Sequence, residues 1–265
     1  MNLPTPAIVT ERAAARLSRF ALILLCALYV LPGVFGRSPW RNADAAAFGF
    51  MASVAQGRAP WYSPAIAGIG HDGALLPYWI GAASIRTLPF LDPALAARLP
   101  FALILAMVLA FVWYACFHLA RSDAAQPIAF AFGGEAHSVD YARALADGAV
   151  LALIATLGLL QLGHETTPEI VQLGAFSLFL YALACSPGRK SGLAALVALP
   201  VLAASGAPSL SVGLGLGSCA LLWYSARGNE TRSFAWWLLA ASLLAAVEAS
   251  LINAWSYRLE GLNGS

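Results

Sequence analysis

Apolar and charged positions segregate along this chain into long charge-free runs broken by short polar clusters. Phe20–Gly36 lies between Arg19 and Arg37, and Leu99–Ala120 between Arg98 and Arg121. Gly148–Gly163 lies between Asp147 and His164, and Ile170–Gly188 between Glu169 and Arg189. Ser191–Ala226 carries no charge at all. A helix crossing the roughly 30 Å hydrocarbon core needs about 17–25 residues, so this last run is too long for one crossing. Ser205-Gly206-Ala207-Pro208 supplies the turn that divides it. Ser233–Tyr257, interrupted only by Glu248, closes the series. The pattern predicts an all-α polytopic membrane protein with a single transmembrane domain. Its seven spans fall near 20–36, 99–120, 147–164, 169–187, 191–205, 209–226 and 233–257.

Composition supports that class. The 265 residues are 60% hydrophobic and 11% charged, whereas an ordinary soluble domain is about 25% charged. The net charge of +2 builds no basic field for nucleic acid. Cys26, Cys116, Cys185 and Cys219 stand singly inside apolar runs, without metal or redox spacing, and read as small apolar fillers. The run after Arg19 lacks a good cleavage site and reads as a retained first helix rather than a signal peptide.

The basic residues set the expected orientation. With seven spans, Arg12, Arg16, Arg19, Arg121, Arg143, Arg189, Lys190, Arg227 and Arg232 all fall on one side, which is then cytoplasmic. The N-terminus lies inside and the C-terminus outside. Ala74–Leu91 is apolar but interrupted by Arg86 and bracketed by Pro77 and Pro89. It reads as a helix in the outer interface, with Tyr78 and Trp79 at headgroup level.

Polar chemistry concentrates in the outer loop 37–98, which holds Trp40, Trp61, Arg37, Arg41, Arg58, Asp44, His71 and Asp72 among others. Aromatics with a few charges there suit either anchoring or binding of a sugar or lipid headgroup. Ala45–Gln56 is expected to be helical, with Asp44 just before it as N-cap or as a carboxylate able to take a proton. The second outer loop is His164-Glu165-Thr166-Thr167-Pro168-Glu169, where Thr167 and Pro168 are expected to start the next helix. Glu248, inside the last span, is a weaker functional candidate. Gly213, Gly215 and Gly217 form a small-residue stripe that suits close helix packing. His118 reads as interfacial, and Phe130–Gly134 has no phosphate-loop spacing.

Several short segments follow one another in a telling order. Trp40-Arg41-Asn42-Ala43-Asp44 comes after the first span, then Gly57-Arg58-Ala59-Pro60-Trp61. His71-Asp72-Gly73-Ala74-Leu75-Leu76-Pro77-Tyr78-Trp79 and Ala97-Arg98-Leu99-Pro100 lead into the second span. Over roughly residues 15–185 this resembles the N-terminal part of bacterial GT-C glycosyltransferases, such as the lipid A aminoarabinose transferase and the protein O-mannosyltransferases. Full members have more spans and usually a soluble outer domain, so the resemblance implies a fragment, a shortened member, or a different protein with the same N-terminal plan. It also implies an inverting transferase at the outer face of the inner membrane, with a polyprenyl-phosphate sugar as donor. Asp44 matches the catalytic base, and Glu165 a second acidic position, flanked by His164. Asp72 matches the acidic position before the family's Lys-Pro-Pro, but Gly73 stands where its Lys is usual. Arg41, Arg58 or His71 then supply the missing positive charge, and Tyr78 and Trp79 complete the binding segment. Cations or a divalent metal ion would stabilise the departing phosphate. The rival class is a non-catalytic polytopic protein, a lipid-carrier transporter or a scaffold subunit.

Overall fold

The computed structural model describes residues 8–14, 17–35, 38–39, 42–71, 73–131, 133–225 and 228–255. Among them are ten α-helices: α1 (Arg19–Val30), α2 (Asn42–Ala55), α3 (Leu75–Thr87), α4 (Pro93–Ala120), α5 (Ser138–Ile154), α6 (Leu157–Leu162), α7 (Pro168–Ala184), α8 (Arg189–Ala204), α9 (Pro208–Ser225) and α10 (Asn229–Leu251). The all-α expectation is met. Each of the seven expected spans overlaps helix among the described residues, one of them two helices, and the turn at Ser205–Ala207 lies where the uncharged run has to divide. Gly206 there adopts a φ of 93°, open to glycine at little cost. Two helices, α4 and α10, are long and apolar enough to cross a membrane, with mean hydropathies of 2.3 and 1.7.

Three boundaries differ from the charge-free runs. Helix α4 begins at Pro93, ahead of Arg98, because Asp92 caps it: Asp92 Oδ1 accepts from the N–H groups of Ala94 and Leu95. The expected span 147–164 is not one helix. Helix α5 begins at Ser138, runs through Arg143 and Asp147, and stops at Ile154 before the short α6. Asp147 is tolerated inside it because its two oxygens accept from Leu17 N–H at 3.1 Å and Trp113 Nε1–H at 2.8 Å. Helix α2 starts at Asn42, so Asp44 lies within its first turn rather than ahead of it.

Helix α3 packs one face into the fold, burying Leu75, Pro77, Tyr78, Gly81 and Ala82, and leaves Ala83, Arg86 and Thr87 exposed. It runs beside α2 and α4, and Ser84 Oγ donates to Ala96 O of α4. Tyr78 is accordingly buried against Phe50, not at a surface. Helices α2 and α3 run in the same direction. Gly81 abuts Met51, and near the other end Arg86 Nε donates to Ala55 O. The return between them includes a two-stranded hairpin, β1 (Ala65–Ile66) and β2 (Ile69–Gly70).

Two large apolar cores result, with a small third cluster of Ala175, Leu202 and Ala207. One gathers α1 to α5 with the start of α7, around Met51, Leu105 and Ile170. The other is rich in alanine and joins the end of α7 to α8, α9 and α10, around Phe179, Leu199 and Leu238. Close approach needs small residues: a Cβ on Gly192 would meet the Trp237 ring at 2.5 Å, and one on Gly215 would meet Ser242 Oγ at 2.1 Å. Of the glycine stripe in α9, only Gly215 makes such a contact, while Gly213 and Gly217 face open space. All four cysteines are free and half-buried.

Candidate functional site

The first turn of α2 carries Asp44 into the fold, where it is 0% exposed. Its Oδ1 accepts two hydrogen bonds, from Thr166 N–H and Thr166 Oγ1–H, both at 2.8 Å. The carboxylate therefore clasps a residue 122 positions away instead of capping its own helix. Oδ2 is also buried, and among the described residues it meets no donor. A buried carboxylate oxygen without a donor is costly, by about 1–3 kcal/mol or more for a charged group. Such an atom is either a strained remnant or one held ready for a proton or a ligand.

Two helix beginnings, those of α2 and α7, meet at this clasp. Thr166 lies two residues before α7, and Thr167 is that helix's N-cap, followed by Pro168 at its first position. The expected start of α7 is met in place but not in bonding. Thr167 makes no side-chain cap, and its Oγ1 is buried with no partner among the described residues. Ala74, the N-cap of α3, lies against Gly206 just before α9, with 3.2 Å from a Gly206 Cβ to the Ala74 Cβ. Gln172 Nε2 of α7 donates to Ser205 O at 2.7 Å, tying that turn to the same region. The start of α2 and the residues before α7 thus meet at the clasp, and the starts of α3 and α9 meet each other beside Gln172 of α7. Each end contributes partial positive charge and outward-facing N–H groups, a setting that favours anions.

Ionisable side chains complete it. Arg98, 4% exposed, and Glu165, 3% exposed, line a small cavity with His164, Thr166, Val30 and Gly33. The cavity measures about 10 Å³, close to the room one water needs. His164 serves as a latch. Its Nε2 lies 2.8 Å from Tyr29 O and its Nδ1 2.9 Å from Leu160 O. Carbonyl oxygens only accept, so the neutral ring satisfies one of them and the imidazolium both. The ring sits so close to the turn after α1 that a Cβ on Gly33 would overlap it at 1.9 Å.

The other expected site residues are distributed unevenly. His71 is buried beside Tyr78, ring centroids 6.3 Å apart, and its Nδ1 accepts from Gly73 N–H at 2.9 Å. That bond leaves the ring proton on Nε2. Tyr78 and His71 thus flank the start of α3, on the same side of the fold as Asp44. Arg58 does not join them. It is exposed in the turn after α2, and eleven residues from Asp44 to Ala55 already span about 17 Å. Trp79 faces a separate aromatic patch, donating Nε1–H to Trp61 O at 2.7 Å with its ring 5.6 Å from that of Trp61. Arg41 and Asp72 lie outside the described residues. Among the described residues no three His, Cys, Asp or Glu side chains are grouped to hold a metal ion.

Sequence reasoning passed over two members of the site. Thr166 was legible only as part of a polar loop, since nothing local indicates that its donors serve Asp44. Arg98 ended a charge-free run and so read as a boundary, yet it lies inside α4 and is buried. No family model, no curated protein and no solved structure matches the chain.

Proposed function

We propose that the chain is a multi-pass membrane glycosyltransferase of the GT-C kind. It moves a sugar from a polyprenyl-phosphate donor to a lipid, glycan or protein acceptor at the outer face of the bacterial inner membrane. The observation that carries this reading is Asp44, fully buried in the first turn of α2, held through Oδ1 by Thr166 just before α7, with Oδ2 bare among the described residues. In the reaction the acceptor hydroxyl oxygen bonds to the anomeric carbon while the bond from that carbon to the donor phosphate breaks. The hydroxyl proton passes to Asp44 Oδ2, the oxygen that no donor occupies. Thr166 fixes the carboxylate so that this oxygen points one way. Charge builds on the departing phosphate, and the Arg98 guanidinium and the helix N–H groups answer it. Glu165 and His71 border the acceptor side.

Membrane placement is supported by the apolar surface. Large side chains such as Phe20, Ile23, Leu28, Leu221, Val247 and Leu251 are mostly exposed, on several different helices. The gathering of loop Arg and Lys expected on one side supports an orientation with the Asp44 end outward.

The test is transfer from a radiolabelled polyprenyl-phosphate sugar by membranes carrying the wild-type chain or Asp44→Asn at matched expression. Label passing to an acceptor with wild type only is the expected result. Equal behaviour of the two chains rejects it.

One observation favours a second reading, a non-catalytic scaffold or transporter subunit. The cavity beside Glu165 holds about one water, far less than a sugar. In that case the clasp between Asp44 and Thr166 is structural, and Asp44→Asn changes neither transfer nor assembly.

A further inference from the structure

A second, much larger cavity lies elsewhere, as a groove of about 850 Å³ between α1, α4 and α5. That volume lies within the range of about 300–1,000 Å³ typical of small-molecule sites. Its walls are apolar along almost their whole length, from Leu22 and Cys26 on α1 to Leu109 on α4 and Val150 on α5. Only Arg19, Arg143 and Asp147 among its lining residues carry formal charge.

These three gather at one end. Asp147 accepts from Leu17 N–H, two residues before Arg19, and from the Trp113 indole. Arg143 sits one turn before Asp147 on α5, a spacing that puts the two on one helix face. Both oxygens of Asp147 are satisfied by neutral donors. Among the described residues, Arg19 and Arg143 have no hydrogen-bond or ion-pair partner. The end of the groove is therefore positive, with two forked donors fitted to phosphate oxygens. Trp113 and Tyr114 stand there as well, side chains suited to the headgroup level. The lining along α1 from Arg19 to Val30 extends about 17 Å, more than the roughly 15 Å of one leaflet's half of the hydrocarbon core.

We propose that this groove seats an anionic phospholipid, with its phosphate between Arg19 and Arg143 and its acyl chains along α1. The charged end is at the start of α1, whereas the Asp44 pocket adjoins its far end at Val30 and Gly33. The lipid belongs to the leaflet opposite the proposed donor and is a separate ligand. The inference rests on the membrane placement and orientation proposed above, and not on the chemistry at Asp44.

Cys26 lies in the groove wall and reports occupancy. The full chain, with Cys116, Cys185 and Cys219 replaced by Ala, is purified in detergent, and maleimide labelling of Cys26 is timed. Phosphatidylglycerol and phosphatidylcholine with identical acyl chains are compared. Each Arg near an anionic headgroup is worth roughly a fivefold preference, so the pair predicts up to about 25-fold. Phosphatidylglycerol should slow labelling at a correspondingly lower concentration, and Arg19→Gln with Arg143→Gln should equalise the two lipids. Equal protection by both lipids in the parent chain, or protection by neither, overturns the proposal. Counting phosphatidylglycerol adducts on the unmodified wild-type chain by native mass spectrometry tests the same preference without cysteine changes. Asp44→Asn should bind this lipid as wild type does, so loss of transfer and loss of lipid preference are separable. Release of the chain from membranes by alkaline carbonate would sink the membrane placement and this proposal together.

Discussion

Replacing Asp44 in two ways separates its chemistry from its contribution to the fold. Asp44→Ala removes the acceptor and leaves Thr166 N–H and Oγ1–H without a partner in a buried site. At about 1–3 kcal/mol for each orphaned donor, the loss is about 2–6 kcal/mol. For a chain of this size about 2–4 °C of midpoint follows each kcal/mol, so the drop is on the order of 5–20 °C. Asp44→Asn keeps a carbonyl oxygen where Oδ1 was and retains both bonds. It gives up their charge assistance and puts a neutral NH₂ where a bare carboxylate oxygen stood. Those changes oppose each other at about 1–3 kcal/mol each, which leaves a net change near zero. The assay is thermal unfolding of both variants in detergent, followed by tryptophan fluorescence, with transfer activity measured on the same preparations. The expected pattern is a large midpoint drop for Ala, little for Asn, and no transfer by either. Equal destabilisation by Asn and Ala would refute the reasoning. It would mean that the negative charge itself, set among helix N-termini, holds the region together.

Gly33→Ala should destabilise by about 1–3 kcal/mol through overlap with the His164 ring, and most of that loss should vanish in a His164→Ala background, as a double-mutant cycle would read. Gly215→Ala should lower the unfolding midpoint because Ser242 and Leu199 fill its space, whereas Gly213→Ala and Gly217→Ala should be neutral or raise it by up to about 1 kcal/mol each. Asp147→Ala strands Leu17 N–H and the Trp113 indole. Amide exchange should then quicken in the segment leading into α1 more than in α8 or α10, and uniform exchange in the variant would count against this anchoring role.

Most of the helical plan was legible because apolar runs and their charged ends are local properties. Thr167-Pro168 and Ser205–Pro208 mark helix limits by chemistry that any few residues display. The misjudged starts of α4 and α5 share one cause. Arg98, Arg143 and Asp147 look like loop markers in the sequence, but each is accommodated within a helix. Asp147 shows how: distant donors from Leu17 and Trp113 satisfy it, and neither is visible from its neighbours in sequence. Asp44 could be singled out early, yet its bonding could not, since its donors come from the start of α7. The distance between Asp44 and Arg58 followed from helix geometry only once α2 was known to run unbroken between them.

The long reach of that clasp bears on how the molecule is made. Asp44 leaves the ribosome 122 residues ahead of Thr166, an interval of about 6–25 s at 5–20 residues per second. Throughout it a carboxylate bound for the interior has no donors and must stay in water. The pocket therefore closes only after α7 has been delivered, which makes it one of the last places to form in the N-terminal core. A chain whose α7 is late or misplaced would carry an open, charged wound at that spot. That carboxylate, left exposed, is the mark by which quality-control proteases would distinguish such a chain from one whose clasp has closed.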